Sequence, residues 1–296
     1  MTQRTHLISV FNDTMACIQG NARYRAAVAE AISKQTIVLE SEPISVPSAT
    51  FDRPARVIVT HNRTLEAAAL YKEQDNSGEL VGREASLPRA SASPKVCVLN
   101  FASATNPGGG VEHGASAQEE CICRCSTLYP CLTAPAMSDG FYKPHRLSKN
   151  PLHNDDIIYT PDVLVLKDDD YHMLPKPFAV DVITCAAPNL RSVPANRDNA
   201  DGKIQAAISN EELYRLHVQR ARRIMTVAAS HHAEVLILGA FGCGAFCNTP
   251  TIVAKVYDTV LTEFLYHFHT IEFAVYCTYF SQQNYQAFHQ IIRQHA

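Results

Sequence analysis

From residue 51 onward, short apolar runs alternate with stretches of helical spacing: ARVIVTH, LEAAALYKE, KVCVLNF, AQEECICRCSTLY, FAVDVITCAA, EELYRLHVQRARRIMTVAASHH, EVLILGAF, PTIVAKVYDTVLTEFLYHF and IEFAVYC. Runs so short and so evenly apolar are strands covered on both faces, and the helical stretches between them supply the covers. The pattern predicts an α/β fold with helices on each side of a sheet. A chain of 296 residues, 46% hydrophobic, is long enough to bury a full core in one domain with an appendage. Residues 4–34 carry only helical spacing, with Leu7, Ile8 and Phe11 and then Tyr24, Val28 and Ile32, and Asn21 is placed to cap a second helix. The Ser- and Pro-rich stretch SEPISVPSATFDRP then reads as a connector, so residues 1–50 are expected to form an N-terminal helical extension to a domain at 51–296. The proline-bearing stretch 139–177, with HNDDIIYTPDVLVL, is expected to be an irregular insertion beside the strands.

Composition removes several function classes. No run approaches the roughly 18 apolar residues of a membrane span, and the start, MTQRTHLISV, lacks a signal-peptide layout. The expectation is a soluble, cytoplasmic protein with no membrane partner. Ten cysteines are scattered through apolar strands rather than spaced as a disulfide framework, so they are expected to be reduced. A net charge of −3 argues against a broad basic surface and so against direct sequence-specific nucleic-acid binding.

The first chemical constellation follows the strand KVCVLNF: NPGGGVEHGASAQEECICRC, residues 106–125. Three consecutive glycines bare the backbone to a ligand, although a lone triplet is equally a flexible turn. Ser116 to Glu119 fits a capping box, which would give Glu119 a purely structural job, and Glu120 in the first helical turn would be favoured by the helix dipole. The functional alternative is glycoside cleavage, in which a carboxylic acid protonates the departing oxygen beside an oxocarbenium-like centre. Neighbouring helical residues point about 100° apart, so the two glutamates cannot flank one bond. Glu119 is then expected to hold ribose hydroxyls and Glu120 to donate the proton, which requires burial and the neighbouring charge to outweigh the dipole. Cys121, Cys123, Cys125 and Cys131 are too closely spaced for a usual zinc site and are expected to be small core residues.

The second constellation is EVLILGAFGCGAFCNTPTIVAKV: a strand, a loop with Gly239, Gly242 and Gly244, and a helix begun by Thr249 as N-cap and Pro250. Backbone N–H groups at such a junction hold an anion without lysine. The loop is not a Walker A sequence and fits G-x-G-x-x-G poorly. Phe241 is expected to plug the core and Phe246 to pack on a sugar or base; Cys243 is expected to be a small core residue, with a reactive thiol in the loop as the alternative. Affinity for an anion held this way should fall only weakly with salt.

With both loops in hand, the sequence resembles the bacterial type of poly(ADP-ribose) glycohydrolase, within the macrodomain superfamily. Seven residues, Val111 to Ala117, separate Gly110 from Gln118-Glu119-Glu120, and the likeness continues through STLYPCL, IIYTPDV, DVITCAAPN and LGAFGCGAFCNTP. The resemblance implies a three-layer α/β/α macrodomain with a mixed central sheet, and hydrolysis of ribose–ribose bonds in poly(ADP-ribose) from chain ends, with ADP-ribose as product. It implies Glu120 as catalytic acid and Glu119 as its ribose-binding neighbour. Asn106, Gly108, Gly109, Gly110 and Gln118 are substrate-binding by the same resemblance, and Gly242, Cys243, Gly244, Ala245 and Phe246 form the diphosphate loop. No metal and no organic cofactor is implied. Two alternatives stay open: removal of single ADP-ribose units from modified protein or nucleic acid, and non-catalytic binding of ADP-ribose.

Overall fold

Along each strand, alternate side chains enter two separate cores. The computed structural model describes residues 2–72, 94–195 and 199–295. Its sheet has seven strands: β1 (Thr36–Val38), β2 (Arg56–Thr60), β3 (Val96–Phe101), β4 (Ile157–Lys167), β5 (Met173–Cys185), β6 (Val235–Leu238) and β7 (Thr270–Ala274), in the order β1-β4-β5-β3-β6-β7-β2. Pairings β1·β4 and β4·β5 are antiparallel and the other four are parallel, so the sheet is mixed.

Cys97, Leu99, Tyr159, Ile183, Leu236 and Phe273 face one core. There they meet α7 (Asn210–Ser230), α8 (Pro250–Phe264) and α9 (Gln283–Ile292). Val96, Val98, Ile158, Val182 and Ile237 face the other. That core is closed by α1 (Gln3–Gly20), α3 (Thr64–Lys72), α4 (Gln118–Cys125) and α5 (Leu128–Leu132). The period of two along a doubly covered strand gives the three-layer α/β/α arrangement. The helical reading of LEAAALYKE holds through Lys72, and Glu73 lies outside the described residues.

The stretch expected to be irregular holds instead the two longest strands, β4 and β5. Its prolines are tolerated because Pro161 falls in a register shift between Thr160 and Val163, where Asp162 adopts φ 55°. A bulge needs no ladder N–H from the proline. A turn of π-helix, Ser138–Tyr142, leads into α6 (Lys143–Ser148) just before these strands.

The N-terminal segment enters the same architecture. Asn21 accepts from the backbone of Arg23 and Tyr24 to cap α2 (Ala22–Lys34), and Thr36–Val38 forms the sheet's edge. Helix α1 docks beside α4: Thr14 Oγ1 donates to Arg124 O at 2.6 Å, buried Lys167 pairs with Asp13 at 2.6 Å, and Phe11 packs edge-on to Tyr129. The run AQEECICRCSTLY does not stay helical throughout. It breaks at Ser126, whose extended backbone bridges to Val165 of β4.

Candidate active site

Strand β3 ends at Phe101, and the chain turns through Ser103 to Gly110 before α4 begins. Gly108 and Gly109 adopt φ 68° and 60°, a region open to glycine and strained for residues with a Cβ. Space demands glycine as well. A Cβ on Gly109 would collide with Glu120 Oε1 and lie 3.1 Å from Glu119 Oε2, and one on Gly108 would lie 2.7 Å from the Tyr129 ring. The glycine loop therefore folds directly over the paired carboxyl groups.

The capping box does not form. Helix α4 has Ala117 at its N-cap with no side-chain cap bond. Glu119 turns inward instead, where Oε2 accepts from Ser103 N at 2.7 Å and Oε1 from Asn100 Nδ2 at 3.3 Å. Those donors lie in the preceding strand and loop, and leaving buried polar groups unpaired would cost more than an exposed cap gains. Glu120 Oε1 accepts from Gly110 N at 2.9 Å, while its buried Oε2 has no partner. The two carboxyls converge on Gly109 although their side chains leave the helix in different directions.

Burial pushes the Glu119 carboxyl up from 4.5 to about 8; the charge of Glu120 adds to the rise, and the bonds from Ser103 and Asn100 oppose it. Glu119 and Glu120 keep only 3% and 7% of their surfaces exposed. Glu119, so dry and so close to a second carboxyl, retains its proton at neutral pH.

Gln118 is committed to the protein. Its Nε2 donates to Leu99 O at 2.7 Å and Thr64 Oγ1 at 3.0 Å, and its Oε1 accepts from Phe101 N at 2.8 Å. One amide thus ties the end of β3 to the first turns of α3 and α4. The backbone of Asn106 closes the glycine turn by accepting from Gly109 N at 2.9 Å.

The second loop is braced from below by a residue that the glycine pattern does not mark. Asn248, 2% exposed, donates through Nδ2 to Pro188 O, Gly242 O and Phe246 O and accepts at Oδ1 from His217 Nε2 at 2.8 Å. Burial lowers His217 to about 4, so its ring is neutral. Gly242, at φ 76°, has no room for a Cβ because Asn248 Nδ2 and the Ala187 Cβ would each stand 2.6 Å away. Gly244 faces open space. Thr249 occupies the N-cap of α8 without a side-chain bond, and Pro250 takes the first turn as its fixed φ predicts. Burial pushes the Cys243 thiol up to about 12, which keeps it protonated at neutral pH. Phe241 is buried in the core, whereas Phe246 is only partly covered.

A cavity of about 900 Å³ connects these elements. Gln118, Gly242, Gly244, Ala245 and Phe246 line it, while Asn106, the three glycines, Cys243 and the two glutamates are not among its lining residues. Its other end is walled by Leu7 of α1, Arg63, and Asp169 and Tyr171 in the β4–β5 turn. Arg63 lies 4.7 Å over the Tyr276 ring and donates to Asp169 O at 2.9 Å. Burial raises the Asp169 carboxyl to about 6, with Arg63 opposing. Sequence spacing carries no signal for this wall, because its residues come from three separate segments.

Comparison with known proteins places this geometry. The family described as microbial-type PARG, catalytic domain, matches residues 4–168, more than half of the chain. The solved poly(ADP-ribose) glycohydrolase of Thermomonospora curvata is 29% identical with a TM-score of 0.77, over 97% of this chain and 99% of that one. The same enzyme bound to the inhibitor ADP-HPD is 28% identical with a TM-score of 0.74, over 97% and 99%. The Deinococcus radiodurans enzyme in complex with ADP-ribose is 31% identical with a TM-score of 0.70, over 90% and 97%. No match was found among curated proteins. With the family model matching more than half of the chain, the chain belongs to the microbial-type poly(ADP-ribose) glycohydrolases.

Proposed function

We propose that this glycoside hydrolase removes ADP-ribose from the ends of poly(ADP-ribose) chains, with Glu120 as the proton donor and Glu119 as the group that holds the ribose. The observation that carries the assignment is the buried pair itself. Glu120 Oε2 is buried without a partner, and Glu120 Oε1 lies directly against the bare backbone of Gly109.

Glu119 retains a proton at neutral pH because burial disfavours its charge. As the bond between the distal ribose and the 2′ oxygen of the next unit breaks, that oxygen takes the proton through Glu120, and positive charge develops on the departing ribose carbon. Glu119, fixed by Ser103 and Asn100, engages the ribose hydroxyls. Water then adds to the carbon and returns a proton to Glu120. The diphosphate rests on the N–H groups of Gly242 to Phe246, a loop held in place by Asn248. Phe246 packs beside the distal ribose.

The test is release of free ADP-ribose from poly(ADP-ribose), measured beside a Glu120→Gln variant. Release should fall by about 10²- to 10⁴-fold, the usual contribution of general acid catalysis, while free ADP-ribose still binds. Equal release by both proteins would remove Glu120 from the role. Tight ADP-ribose binding with no release by the unaltered protein would overturn the polymer as substrate.

A further inference from the structure

One thiol in this chain differs from the rest in its neighbour. Burial pushes up the thiols of Cys97, Cys123, Cys125, Cys131, Cys185 and Cys243, which keeps them protonated and inert at neutral pH. Cys17, Cys121, Cys247 and Cys277 are each at least partly exposed. Cys121 lies 3.5 Å from Arg124 Nη2, but a guanidinium has no lone pair with which to take a proton. Cys277 Sγ lies 2.9 Å from Nδ1 of His61, and among the described residues Cys277 is the one cysteine with an imidazole partner.

The imidazole is itself held. Tyr285 of α9 stacks on His61 with ring centroids 3.6 Å apart and planes 21° from parallel, and the ring of His289 stacks on Tyr285 at 5.4 Å. A nucleophile, a base within reach and a third group that fixes the base are the parts of an activated thiol. With its hydrogen on Nε2, His61 takes the thiol proton at Nδ1. Cys277 is partly exposed and His61 fully so, which lets a small reagent reach the sulfur. Glycoside cleavage uses neither residue.

The pair borders the large cavity without lining it. Cys277 follows Tyr276, His61 precedes Arg63 by two positions, and Tyr285 follows Asn284; Tyr276, Arg63 and Asn284 all line the cavity. Tyr276 and Arg63 also meet each other in the cation–π contact at 4.7 Å. A group added to Cys277 therefore acts on that wall at a distance of one residue.

Resting on the reading of the large cavity as the ADP-ribose site, we propose that Cys277 and His61 form a peroxide-reactive thiol site, and that capping of Cys277 by a small thiol weakens ligand binding in the neighbouring cavity. His61 takes the proton of Cys277, and the sulfur attacks one oxygen of hydrogen peroxide. An S–O bond forms as the O–O bond breaks, so sulfur is oxidised to a sulfenic acid, and the departing hydroxide recovers the proton from His61 as water. Glutathione then attacks the sulfenic sulfur. An S–S bond forms, the S–O bond breaks, and hydroxide leaves with the attacking thiol's proton as a second water. The mixed disulfide places a bulky charged group beside Tyr276 and displaces its ring from Arg63.

Limiting hydrogen peroxide, added to the full-length protein with a sulfenic-acid-trapping dione, is followed by peptide mapping in a mass spectrometer. The label should fall first on Cys277, and His61→Gln should slow it by about 10²-fold, the lower end of a general base's contribution. Peroxide with glutathione should then weaken binding of labelled ADP-ribose by about 5-fold, the size of one exposed cation–π contact, and dithiothreitol should restore it. Cys277→Ser should bind as the unmodified protein does and ignore the treatment. First labelling of Cys121 or another cysteine in the unaltered protein, or an unchanged rate in His61→Gln, would overturn the thiol site. Full capping with unchanged affinity would overturn its coupling to the cavity. Labelling is read without turnover, so a protein that labels at Cys277 yet neither binds nor releases ADP-ribose refutes the proposed function alone.

Discussion

The two glycine-rich loops look alike in sequence but use their glycines for opposite reasons. In the first, the missing Cβ at Gly109 makes room for the protein's own carboxyls, Glu119 and Glu120. In the second, Gly242 makes room for the brace Asn248, and Gly244 faces open space beside the cavity. One loop is packed against buried carboxyls from within. The other leaves Gly244 facing the open space beside the cavity. Glycine at a site is thus not one signal: its meaning depends on which side of the backbone is occupied.

Substitution at one position in each loop separates these roles. Gly109→Ala should cause the largest effect, because φ 60° and the collision with Glu120 act together. A loss of roughly 1–3 kcal/mol in unfolding free energy is expected from strained backbone of this kind, with ADP-ribose release lowered by at least about 10²-fold through displacement of the acid. Near-native turnover in that variant would break the comparison. Intermediate in size is the pH dependence that belongs to the first loop alone. The folded-state value of Glu119, about 8, lies above its ordinary 4.5, so the folded protein keeps a proton that the unfolded chain has lost. Stability from this group is fully present below about pH 4.5 and is lost as pH rises toward 8. Urea unfolding at pH 5, 6.5 and 8 should show that decline, and Glu119→Gln should flatten it; an unchanged slope in the variant would assign the dependence elsewhere. The smallest effect is expected at Gly244, where Ala meets nothing within 4 Å. Gly244→Ala should change stability by less than about 0.5 kcal/mol yet weaken ADP-ribose binding by about 1 kcal/mol, roughly five-fold. Calorimetric titration beside thermal unfolding resolves the two.

Much of the layout is legible in the chain. Strand, glycine loop and helix start appear in order at both loops, Asn21 caps its helix as its position predicts, and Pro250 takes the first turn of its own. What the pattern leaves out are long-range matters. Ser116 and Glu119 stand at capping-box spacing, but Glu119 bonds to Ser103 and Asn100, 16 and 19 residues earlier. Gln118 carries the expected motif position but spends its amide on Thr64, Leu99 and Phe101. Asn248 reads as an ordinary loop residue until its bonds to His217 and Pro188, 31 and 60 residues away, are seen. The prolines of β4 and β5 read as breaks because a bulge is invisible without its partner strand.

The sequence by itself determined the α/β alternation, the two bare backbone segments and the adjacent glutamates, since each depends on periodicity or dihedral freedom within a few residues. Only the tertiary structure decided that the glutamates lie buried under the first loop, that Asn248 holds the second, and that α1 helps to wall the cavity. The physical reason is that burial, hydrogen-bond partners and proton affinity arise from groups brought together by packing, and local spacing contains no record of them.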